Sequence, residues 1–163
     1  MNLRVGILGM GYVGLPLAIS AAKAGHSIIG YDTDAIKIDN LRNYKFLNPD
    51  IEHSEISTLV KNGSLQFSSD CLKMKDCDVL IICVPTPTDE RDEPDLSFLI
   101  SAAETCAQIA SSGTLVISES TSKVGTLRDL IFQVFEKHLG SHVNSLHFAV
   151  SPERINPGSR QRY

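Results

Sequence analysis

A glycine-rich segment near the amino terminus carries the clearest chemical signal in the sequence. It reads Gly9-Met10-Gly11-Tyr12-Val13-Gly14, a G-x-G-x-x-G spacing that follows an apolar run and opens an amphipathic stretch. Gly9 permits a tight turn, Gly11 leaves room for a pyrophosphate to reach the backbone, and Gly14 lets the helix approach the preceding strand. The free N–H groups at the helix start, with the macrodipole behind them, favour a bound anion. We therefore expect this motif, Tyr12 and Val13 included, to hold the diphosphate of a dinucleotide.

An acidic residue lies where the ribose of such a dinucleotide is expected. Asp32 ends the next apolar run, and a carboxylate there can accept hydrogen bonds from both ribose hydroxyls while repelling a 2′-phosphate. The pattern therefore predicts NAD in preference to NADP. Lys37 is a weaker candidate for the adenosine ribose, beside the interpretation of a solvated helix lysine. The structural alternative is a glycine turn that only packs tightly, with Asp32 capping the helix that follows it.

Short apolar runs and amphipathic stretches alternate along the chain, as they do in a parallel sheet flanked by helices. Strands are predicted over 3–8, 26–31, 65–68, 79–84, 114–118 and 146–150. Helices are predicted over 12–24, 34–42, 54–61, 95–110 and 126–138, with Asp95 as an N-cap. The continuously apolar run 79–84 is typical of a central strand buried on both faces. The fold class expected is α/β, a doubly wound Rossmann fold with a six-stranded, mostly parallel sheet.

Composition and charge exclude several other classes of protein. Lys and Arg number 15 against 19 Asp and Glu, and the formal charge of −4 argues against a nucleic-acid partner. No apolar run reaches about 18 residues and no basic segment opens the chain, so we expect neither a membrane span nor a secretory signal, and a cytoplasmic location. The 4 cysteines form no C-x-x-C pair and are expected to be reduced, packed thiols. No histidine or cysteine spacing predicts a metal site.

Four further segments carry a more specific pattern. They are Cys83-Val84-Pro85-Thr86-Pro87, Pro94-Asp95-Leu96-Ser97, Ser118-Glu119-Ser120-Thr121 and Ser151-Pro152-Glu153-Arg154-Ile155-Asn156-Pro157-Gly158. Together with Gly11-Tyr12-Val13-Gly14-Leu15-Pro16, they make the chain resemble the N-terminal, NAD-binding half of the UDP-glucose/GDP-mannose dehydrogenase family. The last segment is most similar to the branch of that family that oxidises UDP-N-acetylhexosamines to uronic acids.

The resemblance implies roles for residues in these segments. Those implied to contact the cofactor are Val84, Pro85, Thr86, Ser120 and Thr121. Those implied to lie near the UDP-sugar substrate are Glu153, Arg154, Ile155 and Asn156. Two are implied to be catalytic, since Thr121 would help to position a water and Glu153 would assist its attack. Without the resemblance, Thr121 could cap a helix and Glu153 could pair with a nearby cation.

The reaction implied by the resemblance oxidises a sugar C6 alcohol twice with NAD, and a cysteine thiolate holds the aldehyde between the two steps. In the family that cysteine, a lysine and the substrate domain lie beyond the nucleotide-binding half. None of the cysteines here, at 71, 77, 83 and 106, suits the role, so this chain is expected to bind the cofactor without turning over. The chain also has Val124 where most relatives carry a proline.

The expected organisation is an NAD-binding Rossmann domain over 1–158 and a truncated tail over 159–163. The tail would lead to a linker helix and a substrate domain outside this sequence, and the full-length protein is expected to form a homodimer. Two other hypotheses stay open at this point. One is a stand-alone NAD(H)-binding or redox-sensing module without catalysis, and the other is a different hydride-transfer enzyme, such as a hydroxyacid dehydrogenase.

Overall fold

The computed structural model describes residues 2–45, 51, 53–88 and 93–152, and places helices on both faces of a six-stranded sheet. The strands are β1 (Arg4–Leu8), β2 (Ser27–Tyr31), β3 (Leu65–Ser68), β4 (Val79–Ile82), β5 (Leu115–Ser118) and β6 (His147–Val150). The helices are α1 (Gly14–Lys23), α2 (Ala35–Arg42), α3 (His53–Lys61), α4 (Ser97–Ile109) and α5 (Phe132–Leu139). Short helical turns occur at Cys71–Met74, Leu127–Ile131 and Gly140–Ser145. None of the described helices is long and apolar enough to cross a membrane.

All six strands are parallel, in the order β3-β2-β1-β4-β5-β6. Leu8 lies opposite Tyr31 on one side and Ile82 on the other, so β1, β2 and β4 end at the same edge. From β1 the chain winds outward through β2 and β3, then returns beside β1 at β4 and winds outward in the other direction. Doubly wound sheets bind ligands at the carboxyl edge where this reversal occurs. The predicted Rossmann fold is confirmed, with a sheet that is wholly parallel.

Alternate side chains of the central strands divide the apolar core between the two faces of the sheet. Ile7 and Ile81 pack with residues of α1, α2 and α3, whereas Leu8 and Ile82 pack with residues of α4 and α5. All residues of β4 are buried, as its continuous apolar sequence predicts. The two helical layers therefore hold the carboxyl ends of β1 and β4 rigidly beside each other.

Several predicted element ends differ from the structure, among them the end of β4, at Ile82 instead of residue 84, and the starts of three helices. Helix α1 begins at Gly14, because the two residues before it still belong to the glycine turn. The prediction of Asp95 as the N-cap of α4 is wrong: Leu96 holds that position without a side-chain hydrogen bond. The Asp95 carboxylate instead accepts the backbone N–H of Ser97 at 2.9 Å, closing a local turn at the helix start. The fifth predicted helix opens with a wider helical turn over Leu127–Ile131 before α5.

Phe135 offers a test of the core beneath α5. It is fully buried and lies edge-on to Phe148, with 5.1 Å between the ring centroids. We expect Phe135→Ala to lower the free energy of unfolding by about 3–5 kcal/mol, because it leaves a cavity that the packed core cannot close. Urea denaturation followed by circular dichroism measures the loss. The control Ile36→Ala, at a side chain that is 75% exposed, should change stability by less than about 0.5 kcal/mol. Equal losses for the two variants would contradict this view of the core.

Candidate cofactor site at the carboxyl edge of the sheet

The glycine motif forms the turn between β1 and α1, and two of its glycines are required by close packing. Gly9 has φ +96°, and a Cβ atom there would lie 2.5 Å from the Cys83 carbonyl oxygen. A Cβ atom at Gly14 would collide with the Gly9 carbonyl oxygen. At Gly11, by contrast, a Cβ atom would meet nothing within 4 Å. Gly9 and Gly14 therefore bring the turn against β4, whereas Gly11 borders open space.

The amino end of α1 faces that open space. Val13 holds the N-cap position, and no side chain caps the helix. The first backbone N–H groups of a helix lack intrahelical acceptors, and together with the macrodipole they attract an anion. The open face at Gly11 and this uncapped helix start together suit a diphosphate.

Asp32, the first residue after β2, is held by three hydrogen bonds. Its Oδ2 accepts the Met10 backbone N–H at 2.9 Å and the Lys37 ammonium at 2.8 Å, and its Oδ1 accepts the Asp34 backbone N–H at 3.0 Å. Asp34, not Asp32, caps α2, because its side chain accepts the N–H groups of Ile36 and Lys37. The alternative of Asp32 as a helix cap is therefore wrong. Its Oδ2 already accepts two hydrogen bonds, whereas its Oδ1 accepts one and keeps acceptor capacity for a ribose hydroxyl.

The Asp32 carboxylate is buried and ionised. Its burial raises the pKa, but the hydrogen bond from Lys37 and those from the backbone of Asp34 and Met10 outweigh that effect, and the pKa lies below its ordinary 3.8. Lys37 is thus engaged with the carboxylate instead of being a solvated helix lysine. At neutral pH the ionised carboxylate at the end of β2 therefore forms an ion pair with the Lys37 ammonium.

A cavity of about 270 Å³ opens between the turns that follow β2 and β4. Asp32 and Lys37 line one side of it, Val84 and Pro85 line another, and Ala102 on α4 lies among the residues that close it. A second cavity of about 430 Å³ also reaches Lys37 and borders Gly11 and Tyr12. The walls of the first cavity are largely apolar, and the Asp32 carboxylate is among the groups that line it.

The turns after β4 and β5 also lie at this edge and are joined to each other. The Thr86 hydroxyl donates to the Thr121 carbonyl oxygen at 2.7 Å, and the Ser120 hydroxyl donates to the Val84 carbonyl oxygen at 2.7 Å. Thr121 and Pro85 are exposed, whereas Ser120 is buried. The predicted cofactor residues within the described ranges thus lie in the turns after β1, β2, β4 and β5 or in the first turns of α1 and α2. Glu153, Arg154, Ile155 and Asn156 lie outside the described residues.

Three of the four cysteine thiols are too buried to form the thiolate that a nucleophile requires at neutral pH. Burial raises the pKa of Cys77 to about 11 and that of Cys83 to about 12, and it raises that of the fully buried Cys106 as well. All four thiols, the half-buried Cys71 included, are free. Within the described part of the chain, no group of histidine, cysteine, aspartate and glutamate residues could hold a metal ion. This site can bind a cofactor, but these thiols do not supply covalent chemistry.

Two contributors to the site were missed by sequence reasoning. The spacing of the glycine motif assigns no role to Met10, yet its backbone N–H donates a hydrogen bond to Asp32. Thr126 is buried, and its hydroxyl donates to the Lys123 carbonyl oxygen at 2.8 Å. The sequence indicates the role of Thr126 only weakly: it is a hydroxyl residue directly after Gly125, an arrangement that is common at turns.

A doubly wound parallel sheet, an open glycine turn before an uncapped helix and a buried carboxylate at the end of β2 define a dinucleotide-binding Rossmann domain. Residues 3–162 match the UDP-glucose/GDP-mannose dehydrogenase family, NAD binding domain. The chain therefore belongs to this family, which argues against the hydroxyacid dehydrogenase hypothesis.

Relatives in this family share the domain over nearly all of the chain. UDP-N-acetyl-D-glucosamine 6-dehydrogenase of Pseudomonas aeruginosa is 35% identical over 161 residues, covering 98% of this chain and 37% of that protein. UDP-N-acetyl-D-mannosamine dehydrogenase of Pyrococcus horikoshii is 35% identical, covering 96% of this chain and 37% of that protein. The solved structure of the UDP-D-ManNAc dehydrogenase from Pyrococcus horikoshii superposes with a TM-score of 0.85 at 32% identity, covering 96% of this chain and 37% of that one. The chain thus spans a little over one third of these relatives.

Removal of the Lys37 ammonium should raise the pKa of Asp32. Lys37→Met keeps the aliphatic stem and leaves the N–H bonds from Met10 and Asp34, but it removes the hydrogen bond that most lowers this pKa. A carboxyl-detected NMR titration measures the midpoint in both proteins. Because the pKa is depressed in the folded state, Asp32 stabilises the fold above its unfolded pKa, and this stabilisation is lost as the pH falls through the folded pKa. Lys37→Met should shrink that acid-sensitive part of stability.

The control is Lys61→Met on α3, an exposed lysine away from Asp32. It should leave the Asp32 midpoint unchanged. Identical midpoints in the Lys37→Met variant and the unmodified chain would show that the ion pair does not hold the carboxylate.

Proposed function

We propose that this chain is the NAD-binding domain of an enzyme that oxidises the C6 alcohol of a UDP-N-acetylhexosamine to the uronic acid, in two NAD-dependent steps. The observation that carries the proposal is the family match over residues 3–162. The sugar class is supported by relatives named for UDP-N-acetyl-D-glucosamine and UDP-N-acetyl-D-mannosamine. It is also supported by Ser151-Pro152-Glu153-Arg154-Ile155-Asn156-Pro157-Gly158, the segment that resembles the N-acetylhexosamine branch.

The residues at the carboxyl edge fit NAD. The open backbone at Gly11 and the amino end of α1 would bind the diphosphate, and Asp32 would accept hydrogen bonds from the adenosine ribose. The adenine would enter the cavity beside Val84, and the other half of the dinucleotide would cross the sheet toward Thr121. When bound, NAD supplies the hydride acceptor, and the protein supplies orientation and electrostatics.

The roles proposed on the substrate side follow from the family resemblance. Thr121, exposed at the end of the β5 turn, would lie beside the nicotinamide and help to position a water. Glu153 would act on that water as a base, and Arg154, Ile155 and Asn156 would contact the UDP-sugar. A soluble substrate reaches such an edge directly, and neither nucleic acid nor a membrane takes part in this mechanism.

The nucleophile that holds the aldehyde would come from the part of the enzyme that this chain does not span. A thiolate must form near neutral pH, and burial holds the pKa of Cys77 and Cys83 at about 11 and 12. We propose that residues 1–158 form the cofactor domain and that 159–163 lead to a linker helix and a substrate domain. The full-length enzyme would be a cytoplasmic homodimer.

Gly11→Ala tests the placement of the diphosphate. The added methyl group meets no protein atom within 4 Å, so the free energy of unfolding should change by less than about 1 kcal/mol. The methyl group would nevertheless occupy the space through which the diphosphate approaches, so NADH affinity should fall at least about tenfold. Isothermal titration calorimetry measures the affinity, and urea denaturation measures the stability.

Two variants of the same region serve as controls. Ser20→Ala, at an exposed position of α1, should leave both quantities unchanged. Gly14→Ala should instead lower stability, since its methyl group collides with the Gly9 carbonyl oxygen. NADH binding to Gly11→Ala with unchanged affinity would place the diphosphate elsewhere.

Turnover by the native protein tests the complete proposal. An immunoblot of the source cells should show a protein more than twice 17.8 kDa. That protein, purified with NAD, should form NADH with UDP-N-acetylglucosamine, UDP-N-acetylmannosamine or UDP-N-acetylgalactosamine, in twice the amount of sugar consumed. A long native chain that forms no NADH with any UDP-sugar would refute the enzyme assignment. A native protein near 17.8 kDa that binds NADH would instead favour a stand-alone or redox-sensing module.

A further inference from the structure

Two hydroxyl groups join the turns after β4 and β5 in opposite directions. Thr86, on the β4 side, donates to the Thr121 carbonyl oxygen at 2.7 Å. Ser120, on the β5 side, donates to the Val84 carbonyl oxygen at 2.7 Å. The partners in each pair are 35 and 36 residues apart in sequence. Neither bond is part of the sheet ladder, so this pair of bonds extends the contact between β4 and β5 beyond their last ladder positions.

A third hydroxyl closes the same loop from its far end. The Thr126 side chain donates to the Lys123 carbonyl oxygen at 2.8 Å, and the Thr126 backbone N–H donates to the same oxygen at 3.2 Å. Thr126 is 5% exposed, which protects these bonds from water. The loop over 121–126 is therefore tied at Thr121 to the β4 turn and at Lys123 to the start of the following helix.

The hydroxyl protons of Thr86 and Ser120 are already donated to backbone carbonyl oxygens. A hydroxyl group has one proton, and the phosphate oxygens of a dinucleotide only accept hydrogen bonds. While Thr86 and Ser120 donate to backbone carbonyls, they do not also donate to the cofactor. Ser120 is moreover buried, with 5% of its surface exposed. Their hydroxyl groups thus act on the backbone that surrounds the cofactor.

We infer that Thr86, Ser120 and Thr126 are positioning residues that hold Thr121 and its loop in place for the half of the cofactor that lies on the β4–β5 side. The inference rests on the proposed function for the identity of that ligand. The bonds preorganise the loop before the cofactor arrives, so that less of the binding free energy is lost in ordering it. The adenosine half would depend on them less, because it shares only Val84 and Pro85 with this arrangement and would be held mainly at Asp32, on the other side of β1.

The test measures the affinities for two ligands, NADH and ADP, and the hydrogen exchange of the loop in the 163-residue chain and its variants. Thr86→Val removes the hydroxyl and keeps the shape, Thr86→Ser restores the hydroxyl, and Ser120→Ala removes the second bond. Calorimetry measures binding of NADH and of ADP, which has the adenosine and the diphosphate but lacks the nicotinamide half. Hydrogen exchange of the amides over 119–126 measures loop order without any ligand. Thr58→Val is the matched control, because Thr58 makes a comparable hydroxyl-to-carbonyl bond of 2.9 Å within α3, away from the site.

Thr86→Val and Ser120→Ala should each weaken NADH binding about five- to tenfold, which corresponds to the loss of one hydrogen bond, while ADP binding changes less than about twofold. Amide exchange over 119–126 should become at least about fivefold faster. Thr86→Ser should restore both quantities, and Thr58→Val should change neither.

Unchanged loop exchange and an unchanged ratio of NADH to ADP affinity in both variants would overturn the inference. An equal loss of NADH and ADP affinity would also overturn it, since it would show a general effect on the fold. If the unmodified chain binds no NADH, the proposed function fails instead. The hydrogen exchange of the loop then decides the positioning role alone.

Discussion

The close contact between the glycine turn and the end of β4 is the constraint on which the rest of the site depends. Gly9 lies so near the Cys83 carbonyl oxygen that no side chain fits there. At Gly14, the Gly9 carbonyl oxygen likewise leaves no room for a side chain. Because of this contact, α1 starts directly beside the switch point, and its uncapped amino end lies at the edge where β1 and β4 end. A larger residue at either glycine would move the helix start away from that edge. Gly11 offers open space at this edge only because Gly9 and Gly14 allow the turn to pack closely against β4.

The charge at the end of β2 is linked to the same turn. Asp32 would be costly as an isolated buried carboxylate, and an ammonium and two backbone N–H groups compensate it. One of those N–H groups belongs to Met10, inside the glycine motif, so the glycine turn and the Asp32 carboxylate form one connected unit. Displacing the turn would therefore also disturb Asp32. This connection gives a physical reason for the motif and the acidic residue to occur together.

The fold was predictable because its signals are local and strong. A parallel strand buried on both faces reads as a continuous apolar run, and β4 is such a strand. The glycine motif and Asp32 were equally readable, since each occupies a defined place relative to a strand end. What sequence could not show are contacts between residues far apart, such as the bond from Thr86 to Thr121. Asp95 was misplaced as an N-cap because an Asx turn and a cap use the same residue types one position apart.

The buried thiols of this domain serve packing and are not suited to covalent chemistry. The thiols of Cys77, Cys83 and Cys106 are embedded in the layers that hold the strands, and the same burial that makes them useful for packing raises their pKa values. A reactive thiol placed there would need water and a cation beside it, which would open the core beneath the cofactor. A nucleophile introduced from outside the sheet avoids this conflict, because it can approach the exposed Thr121 side of the edge. Under the proposed function, the rigid sheet would orient the cofactor while a separate structural element would bring the reacting group to it.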